Sequence, residues 1–444
     1  VPGWALYTIG VLVFAFGLLL SIALHEVGHM VPAKKFGVKV TQYMVGFGPT
    51  IWSRKRGDTD YGLKAVPAGG YIRMIGMVPP SAPGRPSRWP RRMARAIEDF
   101  RSTSRAEVDP QDANREFYRL TPGKKMIVML GGPCMNLLIY LVLMVIVLMT
   151  IGVQHSDPTT QVSSTVRCVV AANAPEAKQN DCTGLEASPA VKAGLQPRDT
   201  IKAIDGRPVA TWDAAVAIIE KSAGRKLTLT VDRAGALKNL SITPVVNTKC
   251  ERVDGQTGTC TSFKRAGFIG VSEHDHVYFQ TVGITGVPRQ IGSQIHQGWD
   301  RLMQYPAKIK DLWQTVFDGK KRTLDGAVGV VGIGRISGDY ASSGLIDTQT
   351  KIVALLTLLA SVNLLLFFFN LIPLLPLDGG HVAGGLVEAI RRGWARVRGR
   401  GQVQIFVDTA QLLPVMYGVA SLIFLVTLLT LYADIVKPVS LNGG

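Results

Sequence analysis

The chain has 444 residues, 47% of them hydrophobic and 18% charged, with a formal net charge of +17 at pH 7. A mean hydropathy of +0.21, with the apolar residues clumped into long runs, excludes a disordered chain and an ordinary soluble domain. The positive charge is not accompanied by an aromatic-interleaved basic platform or a recognisable nucleic-acid module, so no nucleic-acid partner is expected.

The first predicted element, 1–37, is a transmembrane helix. Its nearly uncharged run from Trp4 to Leu24 meets the roughly 18–20 residues a bilayer core requires. The run lacks a basic leading region and is longer than a signal-peptide core, so it is read as retained. It ends in His25-Glu26-Val27-Gly28-His29. Residues i and i+4 share a helix face, so His25 and His29 can turn a ring nitrogen toward one ion. Glu26, beside the first ligand, can act as general base on a metal-bound water. Ionisable groups are costly in hydrocarbon, so such a cluster in a span reads as a functional site.

Residues 38–77 read as short strands punctuated by glycines and prolines, including Gly46 and Gly48 and a polar turn at Gly57–Asp60. Residues 78–124 form a basic loop, Pro- and Ser-rich over much of its length and expected to be mobile, with anionic membrane lipids as a secondary contact. A second transmembrane helix follows over 125–153, with Cys134 as a small buried residue within it. Residues 162–247 form a mixed α/β module. Its helix is placed at Trp212–Lys221 and its strands at Thr200–Ile204, Lys226–Asp232 and Leu240–Val245. Residues 248–350 read as a linker with an amphipathic stretch, Ile291–Trp313, and a Gly-rich segment, Gly329–Gly338. The two read as an interfacial helix and a Gly-rich re-entry into the membrane, with an ordinary helix packed on the soluble module as the alternative. His274 and His276 read as solvated surface.

The third transmembrane segment, 351–390, contains Asn370-Leu-Ile-Pro373-Leu-Leu-Pro376-Leu-Asp378-Gly379-Gly380. Its prolines break the helix. Asp378, together with His25 and His29, completes the donor set of a catalytic site for one zinc ion, Zn2+, with a fourth position open to water. A basic loop at 391–409 and a fourth transmembrane helix at 410–434 complete the chain, with Pro414 marking that helix's start or a kink.

Charge sets the expected topology. Residues 34–125 hold 19 Lys/Arg against 8 Asp/Glu, while 154–350 hold 23 against 19. Basic loops near spans mark the cytoplasmic side. Both termini and the 154–350 region are therefore expected outside the cytoplasm, in a multi-pass protein of the cell membrane. Cys168, Cys182, Cys250 and Cys260 all fall in that outer region. Disulfides are expected there, with sequence proximity favouring 168–182 and 250–260. A structural zinc cluster is the rival reading.

Four segments in order, His25–His29, the Gly46-Phe47-Gly48 and Pro67–Tyr71 pair, Gly132-Pro133-Cys134-Met135-Asn136, and Asn370–Gly380, resemble the site-2 protease family of intramembrane zinc metalloproteases. The resemblance is to the bacterial form with one external PDZ domain, and within it to the actinobacterial branch. It implies a polytopic α-helical membrane protein of about four transmembrane helices. A membrane-associated, re-entrant β-hairpin region and an inserted extracytoplasmic PDZ domain at 162–247 would complete it. His25, His29 and Asp378 would hold zinc and Glu26 would activate water. Asn136, Asn370, Gly46 and Gly48 would position the substrate.

The implied activity is endoproteolysis of single-pass membrane proteins, such as anti-sigma factors, already trimmed by a site-1 protease. The PDZ domain would gate access, either by taking a peptide C-terminus or by acting as a size filter. Two departures stand out: Pro376 follows Pro373 by three residues rather than two, and Arg198-Asp199 replaces the Gly-Asp of the PDZ turn. A metal transporter would not need Glu26 beside His25 or a peptide-binding module, and a non-catalytic scaffold would tolerate loss of the zinc ligands.

Overall fold

The computed structural model describes residues 2–438 apart from 82–88, 107, 158, 172–181, 254–259, 274–275, 319–325, 345 and 400–405. Two compact units divide the chain: Val1–Ile151 with Val282–Gly444, and Gly152–Thr281. His274 lies outside the described residues, as do parts of both basic loops.

The first unit begins with helix α1, Gly3–Lys35, about 50 Å long at 1.5 Å per residue. Strands β1 (Val40–Arg56) and β2 (Thr59–Met74) follow as one antiparallel ribbon. Both strands bend, so that Tyr43 faces Ile72 on one side and Tyr61 on the other. The bend in β1 falls at Gly46 and Gly48, whose φ values of +93° and +82° favour glycine.

The loop expected to be mobile contains helix α2, Arg91–Ala106. Its Ile97 packs on Val78, Ala410 and Leu413, and buried Arg101 pairs with Asp408 at 2.8 Å. The sequence hid this helix because a one-residue-wide apolar stripe and a paired Arg look like solvated polar chain. Helix α3, Pro122–Ile146, continues as a π-helical turn through Ile151. Cys134 on this helix is exposed rather than buried.

The second unit is wider than the 162–247 module. Strands β3 (Val153–Asp157) and β4 (Val162–Thr165) lead to helix α4 (Pro189–Lys192), β5 (Thr200–Ile204), β6 (Arg207–Pro208) and helix α5 (Trp212–Glu220). Then come β7 (Leu227–Arg233), β8 (Ala236–Ile242), β9 (Val245–Val253), β10 (Cys260–Phe268), β11 (Val271–Glu273) and β12 (His276–Gln280). One sheet has the order β6-β5-β7-β8. Ile201, Ile204, Leu227, Leu229 and Val231 from it fill a core closed by Ala215 and Ile219 of α5.

Residues up to Gln280, assigned by sequence to a linker, return to this unit, because β11 pairs with β4 and β12 with β3. Pairings over more than 100 residues leave no local trace. Cys168 is bonded to Cys182 and Cys250 to Cys260.

The first unit resumes with α6 (Val287–Met303) and α7 (Tyr305–Phe317). The amphipathic stretch is thus two helices packed in the first unit: Trp299 meets Phe368 edge-on at 5.7 Å and Tyr305 meets Phe369 at 5.2 Å. The Gly-rich segment is helix α8 (Val330–Ser342), where Gly338 admits the ring of Tyr7. Asp434 accepts the Gly332 amide at 2.8 Å at its N-terminus.

The segment 351–390 is two helices, α9 (Thr348–Leu371) and α10 (Asp378–Val397), separated by the Pro373–Pro376 turn. Helix α11, Leu413–Val436, has Pro414 in its first turn, so the proline starts the helix without kinking it. Four helical segments, Gly3–Lys35, Pro122–Ile151, Thr348–Leu371 and Thr409–Val436, are long and apolar enough to cross a membrane.

Candidate metal centre

Helix α1 places Nε2 of His25 3.2 Å from Nε2 of His29. Oδ2 of Asp378 stands 3.4 Å from the first and 3.3 Å from the second. Donors about 2.0–2.1 Å from a tetrahedral ion are separated by roughly 3.3–3.4 Å, so this triangle has the dimensions of three tetrahedral positions. His29 donates its Nδ1 proton to the Val128 carbonyl at 2.8 Å, which leaves Nε2 as the free electron pair. These three residues form the one group of metal-ligand type found among the described residues.

Two close approaches build the triangle. Helices α1 and α3 cross backbone to backbone: a Cβ on Gly28 would lie 2.3 Å from the Gly131 oxygen. At the other side Asp378 opens α10, where a carboxylate complements the helix N-terminus. The helix folds back on its own entry turn, and added Cβ atoms on Gly379 and Gly380 would reach the Ile372 oxygen at 2.4 Å and the Leu375 nitrogen at 2.6 Å.

Glu26 is buried beside the triangle, and its carboxylate accepts the Ile72 backbone amide of β2. Gly70 on the same strand leaves room for it, since a Cβ there would meet the Glu26 Cγ at 3.1 Å and the Ile22 Cγ2 at 3.0 Å. The Tyr43 hydroxyl donates to the Ala23 carbonyl at 2.8 Å. The bent ribbon is therefore fastened to the ligand helix on both strands.

Asn136 lies one turn beyond Gly132 on α3. It is 1% exposed, with its Oδ1 unpartnered among the described residues. Asn370 is half-buried in the last turn of α9. Gly46 and Gly48 sit at the β1 bend, and an added Cβ on Gly46 would lie 2.8 Å from the Val66 oxygen. Sequence reasoning gave no role to Val128 or His381, the latter one turn along α10 from Asp378, and quoted Gly132 and Gly70 only as parts of longer segments, with no role of their own. Only His381, three residues from a proposed ligand, carried a readable signal. The others act through backbone or through lack of a side chain.

In the second unit a cavity of about 350 Å3 lies along α5 and is lined by Trp212, Ala215, Ile219, Phe268, Ile269 and Gly270. In the turn before β5, Asp199 is fully buried and accepts from Nε and Nη2 of Arg233, each at 2.7 Å. Arg198 adopts φ +73°, so a non-glycine residue occupies the glycine-type conformation of this turn.

The sequence matches peptidase family M50 over residues 13–410. It is 32% identical to the zinc metalloprotease Rip1 of Mycobacterium tuberculosis over 439 residues, 98% of this chain and 99% of that one. The Rip1 of Mycolicibacterium smegmatis is 32% identical over 445 residues, with the same coverage. The zinc metalloprotease RasP of Oceanobacillus iheyensis is 25% identical over 452 residues, covering 86% of this chain and 91% of its own.

Proposed function

The chain belongs to peptidase family M50, the site-2 protease family, and from that premise we propose that it cuts single-pass membrane proteins within the bilayer. It is a multi-pass membrane protein and a zinc metalloendopeptidase. The finer reading rests on one observation, the His25–His29–Asp378 triangle at the end of a helix long enough to span.

In this reading His25, His29 and Asp378 hold one zinc ion. When bound, the ion would lower the pKa of a water toward about 7 and polarise the scissile carbonyl. The Glu26 carboxylate takes a proton from the attacking water and returns it to the leaving amide nitrogen. The Ile72 amide holds that carboxylate toward the triangle. The unpartnered Oδ1 of Asn136 accepts a peptide N–H of the unwound substrate, and Asn370 steadies the same stretch.

A helix hides its peptide bonds, so the substrate must be cut extended. Strand β2 from Gly70 onward, beside Glu26, offers an edge for it. The exposed Phe47, Ile51, Trp52 and Val66 suit a ribbon that re-enters the membrane, shaped by Gly46 and Gly48.

The second unit acts as a PDZ domain outside the cytoplasm. Its α5 cavity takes the new C-terminus of a substrate trimmed by a site-1 protease, or the domain excludes untrimmed ones by size. Anti-sigma-factor-like proteins are the substrate class. The basic loops face the cytoplasm and anionic lipid.

Reconstituting the full chain with a tagged single-span substrate and mapping the cut by mass spectrometry tests this. Cleavage inside the apolar segment is expected, and cleavage only in the flanking loops overturns the intramembrane reading. Deleting 152–281 should let untrimmed substrate be cut; unchanged discrimination removes the gating role.

A further inference from the structure

Helix α3 presents three features on one face in successive turns: Lys125, Val128 and Gly132, spaced three and four apart. Val128 orients His29 and Gly132 makes room for both histidines. Lys125 is different. It is buried, and its Nζ reaches Oε2 of Glu388 at 2.8 Å, with side-chain exposures of 9% and 2%. Glu388 belongs to α10, the helix that Asp378 opens, ten residues or about 15 Å along it.

The contacts descend α3 as they climb α10. Asp378 lies at the histidines, Val382 packs on the apolar cluster that includes Val128 and Met129 of α3, Gly385 lies against Met126, and Glu388 meets Lys125. Arg392, one turn on, holds the other Glu388 oxygen at 2.6 Å. Both cations flank the ring of Phe406, at 5.3 and 5.6 Å from its centroid, and Tyr118 meets that ring edge-on.

A buried ion pair contributes little net stability, because desolvation offsets its attraction, and its best-attested use is to fix register. Here the register matters chemically: a slip of α10 along α3 moves Asp378 away from the histidines. We propose that the Lys125–Glu388 pair, clamped by Arg392 and Phe406, is a positioning device that sets Asp378 at ligand distance from His25 and His29. This rests on the reading of Asp378 as a zinc ligand.

The test is zinc affinity, measured by chelator competition on the purified full-length chain. Glu388→Gln is compared with the parent, and again in an Asp378→Ala background. The expected result is a loss of roughly 10-fold for Glu388→Gln, the scale of removing an outer support of a ligand, and no further loss once Asp378 is absent. An unchanged affinity, or the same loss in both backgrounds, overturns the proposal, the latter marking a general loosening of the helices.

If Asp378→Ala alone leaves affinity intact, the ligand reading fails, and this proposal fails with it. Should Glu388→Gln not fold, the double variant Lys125→Met with Glu388→Leu, which removes the pair and leaves neither charge buried alone, decides by the same criteria.

Discussion

A methyl group on Gly132 would stand 2.2 Å from Nε2 of His29, and 2.7 Å from Nε2 of His25. The absence of a side chain on α3 is thus part of the proposed metal centre. Gly132→Ala is expected to weaken zinc binding by about 100-fold, the upper range for disturbing a metal site's surroundings. The variant should remain folded, since alanine favours helix. Zinc content per chain, read beside a thermal melt, checks this. Full zinc occupancy in the variant contradicts the geometry.

Gly70→Ala addresses the base and leaves the metal alone. The new methyl crowds Glu26 Cγ and Ile22 and tilts the carboxylate off its Ile72 amide. A misplacement of this size is expected to lower kcat by roughly 10- to 100-fold, with zinc affinity unchanged. Steady-state cleavage and metal titration on the same preparation separate the two. A loss of zinc would assign Gly70 to the ligand shell.

The metal-ligand pattern was legible because helical spacing fixes which side chains share a face: His25 and His29 needed only the i, i+4 rule. Asp378 was legible because a carboxylate beside a proline break in an apolar run is costly without a partner. What stayed hidden is carried by backbone and by absent atoms. The Val128 carbonyl, the Gly28–Gly131 crossing and the Ile72 amide have no side-chain signature. The break between α9 and α10 was half legible: the prolines announced it, but the new helix at Asp378 depends on Gly379 and Gly380 packing against the turn. Helix α2 and strands β11 and β12 were missed because their partners, Asp408, Val153–Asp157 and Val162–Thr165 among them, lie far away in sequence, whereas β9 and β10 pair with each other and were missed as a local hairpin.

Arg198 holds φ +73°, a conformation that costs a non-glycine residue about 1–2 kcal/mol. Part of that gain is returned through glycine's looser unfolded chain. Arg198→Gly is therefore expected to stabilise the second unit by about 0.5–1 kcal/mol. Amide exchange on β5 and β7 in the full-length chain should slow accordingly. Faster exchange would mean that the Arg198 side chain contributes more than its backbone costs.

Burial pushes the Asp199 carboxyl up, but the Arg233 guanidinium and the Gln196 amide outweigh it and hold the group below the usual carboxylate range. A carboxyl lowered in the folded state stabilises fully above its unfolded value, about 3.9. The contribution fades as pH falls through the lower folded value. The second unit should accordingly lose protection as pH falls below about 4, and Asp199→Asn should flatten that slope while lowering stability at neutral pH. Exchange profiles of β5 at several pH values in that window provide the check, and an identical slope in the variant would count against the pair.

The central claim is that this chain's own Glu26 performs the proton transfers of an intramembrane zinc protease. The most direct measurement compares the parent and Glu26→Gln on one tagged single-span substrate in the same membranes, with bound zinc quantified in both. The account predicts product from the parent alone and equal zinc in the two proteins. Equal processing by Glu26→Gln would contradict it and move the catalysis to another group.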